Sequence, residues 1–156
     1  MPTMQNIFKK LKERKVTVSV AESCTAGYVS YLLTKLPGSS EIFKGAFIVY
    51  SLESKNRFFG IPSSLLNKTD GVSRKICIML AKKIKKHFNT DIGLAVVGFA
   101  GPKAKKGIKV GTIYIAVSYK NKCFIKKLSL KGKRDTIRKT ASRKLIGLLY
   151  ETLNRK

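Results

Sequence analysis

The chain has 156 residues, with 33 Lys and Arg against 8 Asp and Glu, for a formal net charge of +25 and a pI near 10.3. With 44 % hydrophobic residues it has the means to bury a core, which excludes global disorder, and its length fits one domain spanning 1–156. No apolar run approaches the roughly 20 residues of a membrane span and no apolar leader followed by a cleavage site opens the chain, so a soluble, cytoplasmic protein without a membrane association is expected.

Ile7, Phe8 and Leu11 on a lysine-rich stretch predict a short amphipathic helix, and Val16-Thr-Val-Ser-Val20 alternates like a strand. Tyr28, Val29, Leu32, Leu33 and Leu36 then recur at helical spacing until Pro37-Gly38. The small polar segment Glu22 to Gly27 therefore lies at a strand-to-helix turn. Gly45 to Tyr50 is an apolar run of the length of a buried strand, Ser51 caps a helix running to about Phe59, and Gly60-Ile-Pro62 ends it. From Val72 the apolar residues Ile76, Leu80, Ile84 and Phe88 step by four beside Lys82, Lys83, Lys85 and Lys86, predicting a helix with one buried stripe. Asp91 to Gly98 reads as a third buried strand, Val110 to Tyr119 and Cys123 to Leu130 as an antiparallel hairpin with one solvated side, and a last helix begins near Arg134. Helices between the first three strands allow those to be parallel, so the fold class is α/β, a three-layer α/β/α sandwich around a mixed five-stranded sheet. The loop Lys103 to Lys109, rich in charge and glycine, is the best candidate for a mobile segment.

The charge is unevenly spread: residues 1–78 hold 12 basic and 5 acidic side chains, residues 79–156 hold 21 and 3. Three isolated cysteines and one histidine give neither a disulfide framework nor a zinc site. In open α/β sheets ligands gather beyond the carboxyl ends of strands, which here are Glu22 to Gly27, Tyr50 to Lys55 and Gly98 to Pro102. Ser23 is a candidate nucleophile there and Lys55 a candidate base, because a serine hydroxyl needs a group to take its proton and a lysine serves once burial or positive charge lowers its pKa. Backbone N–H groups at the start of the following helix could stabilise an oxyanion. Cys24 reads as a small buried neighbour of the nucleophile, Glu22 as an orienting group or a cap, and His87 as a cation at a helix C-terminus.

These segments, taken together and in order, resemble the CinA C-terminal domain family. Ala21-Glu-Ser-Cys-Thr-Ala-Gly27 is similar to its AESCTGG, Pro37-Gly-Ser-Ser40 to its GSS turn, and Tyr50-Ser-Leu-Glu-Ser-Lys55 to its YSNEAK. Gly71-Val-Ser73 matches its AVS, Gly98-Phe-Ala-Gly-Pro102 its GIAGP, Val110-Gly-Thr112 its PVGT and Gly132-Lys-Arg134 its GDR. The resemblance implies an amidohydrolase that deamidates nicotinamide mononucleotide to nicotinic acid mononucleotide and ammonia, with no metal or cofactor, and it suggests a homodimer. Carried over by position, Ser23 is the nucleophile, Lys55 the base and Tyr50 a hydroxyl that orients or relays the proton. Thr25 and Gly27 shape the turn around the reacting carbonyl, Gly98, Ala100 and Gly101 admit the ribose phosphate, and Arg134 pairs with its charge. The departures are Ala26 for glycine, expected to need negative φ, Leu52 for asparagine, a basic Lys103-Ala-Lys-Lys106 loop, and Lys133 for aspartate.

The charge also supports a rival reading, a basic nucleic-acid-binding or catalytically silent accessory domain on the same fold. It would use residues 79–156 as its surface and its binding would weaken steeply with salt, with Tyr114, Tyr119 and Phe124 among the hairpin lysines as a face for a single strand; weak nonspecific binding seen at low salt alone would instead mean that the charge is not its function.

Overall fold

The structure is a computed structural model that describes residues 2–105 and 107–155. Six helices and five strands follow one another as α1 Met4–Glu13, β1 Val18–Glu22, α2 Tyr28–Thr34, β2 Phe43–Ile48, α3 Leu52–Phe59, α4 Ser63–Thr69, α5 Arg74–Phe88, β3 Ile92–Gly98, β4 Thr112–Tyr119, β5 Lys122–Ser129 and α6 Arg134–Asn154. The sheet order is β2-β1-β3-β4-β5, with β1 parallel to β2 and β3, and β4 antiparallel to both β3 and β5. This is the mixed five-stranded sheet expected from the sequence. Helices α1, α2 and α6 cover one face, where Val18, Val20, Leu94, Val96, Ile113 and Ile115 form the larger core. Helices α3, α4 and α5 cover the other, against Ala21, Ala95, Val97 and Ala116.

The two faces differ in side-chain size for a geometric reason. On the α5 side the central strands carry Ser19, Ala21, Gly93, Ala95 and Ala116, so the helix comes close to the sheet. A Cβ added at Gly93 would fall on the Ala81 carbonyl and within 2.7 Å of Lys85 Cβ. Ser19 keeps its hydroxyl satisfied in this dry layer by bonding to the Ile84 carbonyl at 3.2 Å and to Thr90 Oγ1 at 2.7 Å.

Several boundaries differ from the sequence reading. β1 starts two residues late because α1 ends in a left-handed Lys15 and Val16 N–H still bonds to Leu11, while Asp91 takes the Thr17 amide at 2.8 Å and its hydroxyl at 2.9 Å. β2 is a half-exposed edge strand, not a buried one; Val49 and Tyr50 have already left it for the cleft described below. Helix α4 was not expected, its seven residues being too few to display a period. The hairpin is antiparallel as anticipated, but neither of its faces is simply solvated. Tyr119, Phe124 and Leu128 pack, partly buried, toward α6, and Tyr114, Cys123 and Ile125 toward α5. Of the loop Lys103 to Lys109, Lys106 lies outside the described residues.

Because the obstruction at Gly93 is backbone and not the tip of a side chain, Gly93→Ala is expected to destabilise the protein by at least about 2 kcal/mol and to lower its Tm by about 4–8 °C in thermal unfolding followed by circular dichroism.

Candidate active site

The turn after β1 is built around one carboxylate. Glu22 is fully buried. Its Oε2 accepts from Thr25 Oγ1 at 2.6 Å, Gly27 N at 3.0 Å and Val29 N at 3.1 Å, and its Oε1 from Ser30 N at 2.8 Å and Ser30 Oγ at 2.6 Å. Glu22 is thus the anion at the start of α2, where unpaired amides favour one. Two expectations are corrected. The first amides of α2 belong to Glu22 and are not open to an oxyanion, and Thr25 and Gly27 sit behind the nucleophile with their polar groups spent on the same carboxylate. They shape the turn without lining the cleft.

Ser23 follows, nearly buried, with its Oγ 3.1 Å from Lys55 Nζ. Lys55 is reached from the second helix layer: Ser51 caps α3 by accepting from Ser54 N at 3.0 Å, and the helix turns Lys55 inward beneath the Val49 and Tyr50 carbonyls, to which Nζ donates at 2.8 and 3.4 Å. The side chain is 2 % exposed. Burial lowers its pKa from the ordinary 10.5 to about 8, with Asp70 among the groups that partly oppose the shift. Cys24, next to the nucleophile, is driven the other way: burial pushes its thiol up to about 12, so it is an inert packing group.

A cleft of about 400 Å³ opens over Ser23 and Lys55 at the carboxyl ends of β1, β2 and β3. Gly98, Ala100, Gly101 and Arg134 are among the residues that line it. The glycines have a different cause from the one expected. At Gly98 a Cβ would collide with Ile113 Cδ1 and lie 2.7 Å from the Thr112 carbonyl, and at Gly101, which has φ +94°, it would lie 2.9 Å from Val110 Cγ1; both face β4 and its approach, not the cleft. Arg134, at the start of α6, donates through Nη2 to the Tyr50 hydroxyl at 2.7 Å and through Nη1 to the Gly101 carbonyl. It ties two walls of the cleft together. The Tyr50 ring is 55 % exposed, and its hydroxyl partner among the described residues is Arg134, not Ser23 or Lys55.

The sequence reading missed several residues. Asp70, left-handed at the end of α4, and Lys103 both line the cleft. Arg138, one turn beyond Arg134, donates to the Thr25 carbonyl at 3.2 Å. Two of them had a usable signal: Lys103 stands in the basic loop already set apart from the family pattern, and Arg138 is spaced i, i+4 from a candidate already chosen. Leu52, which departs from the family pattern, also lines the cleft, and it occupies room that a side chain at 71 would need: a Cβ on Gly71 would lie 2.7 Å from Leu52 Cδ2. His87 stands in the last turn of α5 as expected, its ring edge-on to Phe47 at 4.7 Å. Among the described residues no group of three or more His, Cys, Asp or Glu side chains could hold a metal ion.

The family model of the CinA C-terminal domain matches residues 2–153. The chain belongs to the CinA C-terminal domain family. A CinA-like protein of Amoebophilus asiaticus is 38 % identical over 129 residues, 82 % of this chain and 31 % of the relative. A CinA-like protein of Dictyoglomus thermophilum is 35 % identical over 145 residues, 92 % of this chain and 33 % of the relative. The chain therefore spans about a third of the length of these curated relatives. Among solved structures, a CinA superfamily protein of Klebsiella pneumoniae superposes with TM-score 0.92 at 22 % identity, over 96 % of this chain and 94 % of its own. The competence/damage inducible protein CihA of Agrobacterium tumefaciens gives TM-score 0.91 at 26 % identity, over 97 % and 93 %. The CinA fold is thus shared along nearly the whole chain, with the Ser23 turn at the end of its first strand.

One departure from the family pattern is strained. Ala26 has φ +46°, the left-handed region, not the negative φ expected of it. Here a Cβ costs about 1–2 kcal/mol, only partly offset by the lower unfolded-state entropy of alanine. Ala26→Gly is therefore expected to stabilise the protein by about 0.5–1 kcal/mol in denaturant unfolding, a gain visible as a higher midpoint at unchanged slope.

Proposed function

We propose that the chain is an amidohydrolase of the nicotinamide-nucleotide type, deamidating nicotinamide mononucleotide to nicotinic acid mononucleotide and ammonia. The reading is carried by one observation: the Ser23 hydroxyl lies 3.1 Å from the amine of a lysine buried deeply enough to lose its proton near neutrality. In the free amine, the two N–H bonds remain on the Val49 and Tyr50 carbonyls and the lone pair faces the Ser23 hydroxyl. With a pKa of about 8, about one molecule in ten holds the free amine at pH 7.

The steps follow from that geometry. Ser23 Oγ attacks the carboxamide carbon as its proton passes to Lys55 Nζ, giving a tetrahedral oxyanion. The Lys55 ammonium then protonates the departing nitrogen, which leaves as ammonia, and an acyl-serine ester remains. Water, losing its proton to the regenerated amine, attacks that ester; Ser23 takes the proton back and nicotinic acid mononucleotide departs. No step calls on a metal or cofactor. Arg134 and Lys103 on the cleft wall offer cations to the substrate phosphate, and Tyr50, held by Arg134, positions one wall.

Ammonia release from nicotinamide mononucleotide tests this. Ser23→Ala is expected to lower kcat by about a thousandfold or more, and full activity in that variant would overturn the mechanism. Because the neutral lysine is the active form, kcat/KM is expected to rise about tenfold per pH unit below 8 and to level off above it.

The same burial has a stability signature. A lysine at about 8 folded and 10.5 unfolded is held at a cost of roughly 3 kcal/mol below pH 8. Between pH 8 and 10.5 the unfolded chain binds the extra proton, so stability rises with pH and the cost vanishes by the upper limit. Lys55→Met is therefore expected to abolish ammonia release while raising Tm at pH 7, with the gain in Tm shrinking toward pH 10.5. A lower Tm at pH 7 would mean that the lysine is accommodated without penalty.

A further inference from the structure

The second face of the sheet carries a positive surface that the amidohydrolase reading leaves unused. Helix α5 holds six Lys and Arg residues and no acidic one in its 15 residues. The ion pairs among the described residues are Lys9 with Glu13, Lys12 with Glu41, Lys126 with Glu151 and Lys139 with Asp135. All four involve α1, α6 or the turns and strand beside them; none involves α5. Among the described residues the ion pairs therefore gather on one helical layer, while α5 on the other has none.

The uncompensated lysines converge. Lys82, Lys85, Lys86 and Lys120 line a cleft of about 310 Å³ with no acidic residue in its wall, at the end of the sheet opposite Ser23. Lys85 Nζ donates to the Lys120 carbonyl at 2.9 Å, which fixes the hairpin turn against the helix. Lys86 also borders a second cleft of about 330 Å³, shared with Phe58 and His87. Phe58 is 54 % exposed and lies flat against Phe47 at 5.6 Å and 21°, so a supported aromatic ring sits at the end of the cationic track.

We propose that this track is a binding surface for single-stranded nucleic acid: the lysine cleft follows the phosphodiester backbone, and a base stacks near Phe58 and His87. The pairing of unneutralised cations with a solvent-facing ring is what distinguishes a strand carrying bases from a simple polyanion. Helix-dipole compensation accounts for Lys85, Lys86 and His87 in the last turn of α5, but not for Lys82 or for Lys120, which comes from the β4–β5 turn.

The test is fluorescence anisotropy of a labelled 20-nucleotide single strand, as DNA and as RNA, against the full chain over a series of KCl concentrations. The triple variant Lys82→Gln, Lys86→Gln, Lys120→Gln is expected to bind at least tenfold more weakly, with its log–log salt slope reduced by about 2. A control with the same loss of charge elsewhere, Lys9→Gln, Lys131→Gln, Lys144→Gln, is expected to stay within about threefold of the parent. Phe58→Ala is expected to weaken binding about tenfold and Phe58→Tyr to restore it. Equal losses in the two triple variants would reduce the effect to net charge and overturn the proposal. So would an unchanged Phe58→Ala, or equally tight competition by inorganic polyphosphate or by anionic phosphatidylserine vesicles. Ammonia release is expected to be unchanged in every variant, which separates this surface from the Ser23 site.

Discussion

The fold places its chemistry by burying one carboxylate. Removing Glu22 from water without partners would cost several kcal/mol, and the chain offsets that cost with five hydrogen bonds drawn from the first turn of α2 and the two hydroxyls beside it. This sets the angle between β1 and α2, and Ser23, the next residue, has no freedom to point elsewhere. The strain at Ala26 and the left-handed Gly27 are the local consequences of turning the chain tightly enough for those donors to converge. The requirement reaches across the sheet as well, since the Glu22 carbonyl accepts from Val49 N at 2.8 Å, and Val49 in turn offers its own carbonyl to Lys55. One residue thus serves both halves of the site, its carboxylate fixing the serine turn and its backbone carbonyl the strand that roofs the lysine.

Lysine chemistry at neutral pH asks for burial without a carboxylate at contact distance. The two helical layers satisfy this separately. Glu22 faces the α2 side, where its lone pairs are consumed, while Lys55 enters from α3 among carbonyl dipoles. Asp70 is the acid at the cleft on the lysine's side, and it is exposed, so water weakens its hold on the ammonium.

Much of this was legible in the sequence. Val18 and Val20, Ile76 to Ile84, and the apolar run through β3 announced a helix-covered mixed sheet, and the strand ends after β1 and β2 marked where a candidate site could lie, while the resemblance, not spacing, grouped Ser23, Tyr50 and Lys55. What escaped has physical reasons. Alternation showed that β1 is a strand but not that it is central and dry on both sides, and the partners that satisfy its buried Ser19, Ile84 and Thr90, are more than sixty residues away, where no periodicity reports them. The seven residues of α4 are too short to show a stripe, and Asp70 reaches the cleft only because that helix ends in a left-handed turn. Glycines that looked made for a ligand at 98 and 101 answer to β4 and its approach instead. The three-layer reading already put helices on both sides of the sheet, but not how far along it they reach, so the burial of the hairpin aromatics escaped.

Because the chain fills the amides of α2 with its own carboxylate, a bound anion finds no backbone cradle there and must be read by side chains that stand on other elements, Arg134 on α6 and Lys103 on the loop after β3. On the proposed amidohydrolase reading, recognition and reaction therefore fall to separate parts of the molecule. Exchanging a rim cation leaves the Glu22-held turn untouched, so on that reading descendants of this chain would change what they select without rebuilding how they cleave. The architecture is modular at the scale of a few ångströms, and its capacity for evolutionary drift in substrate preference sits on the wall of the cleft instead of its floor.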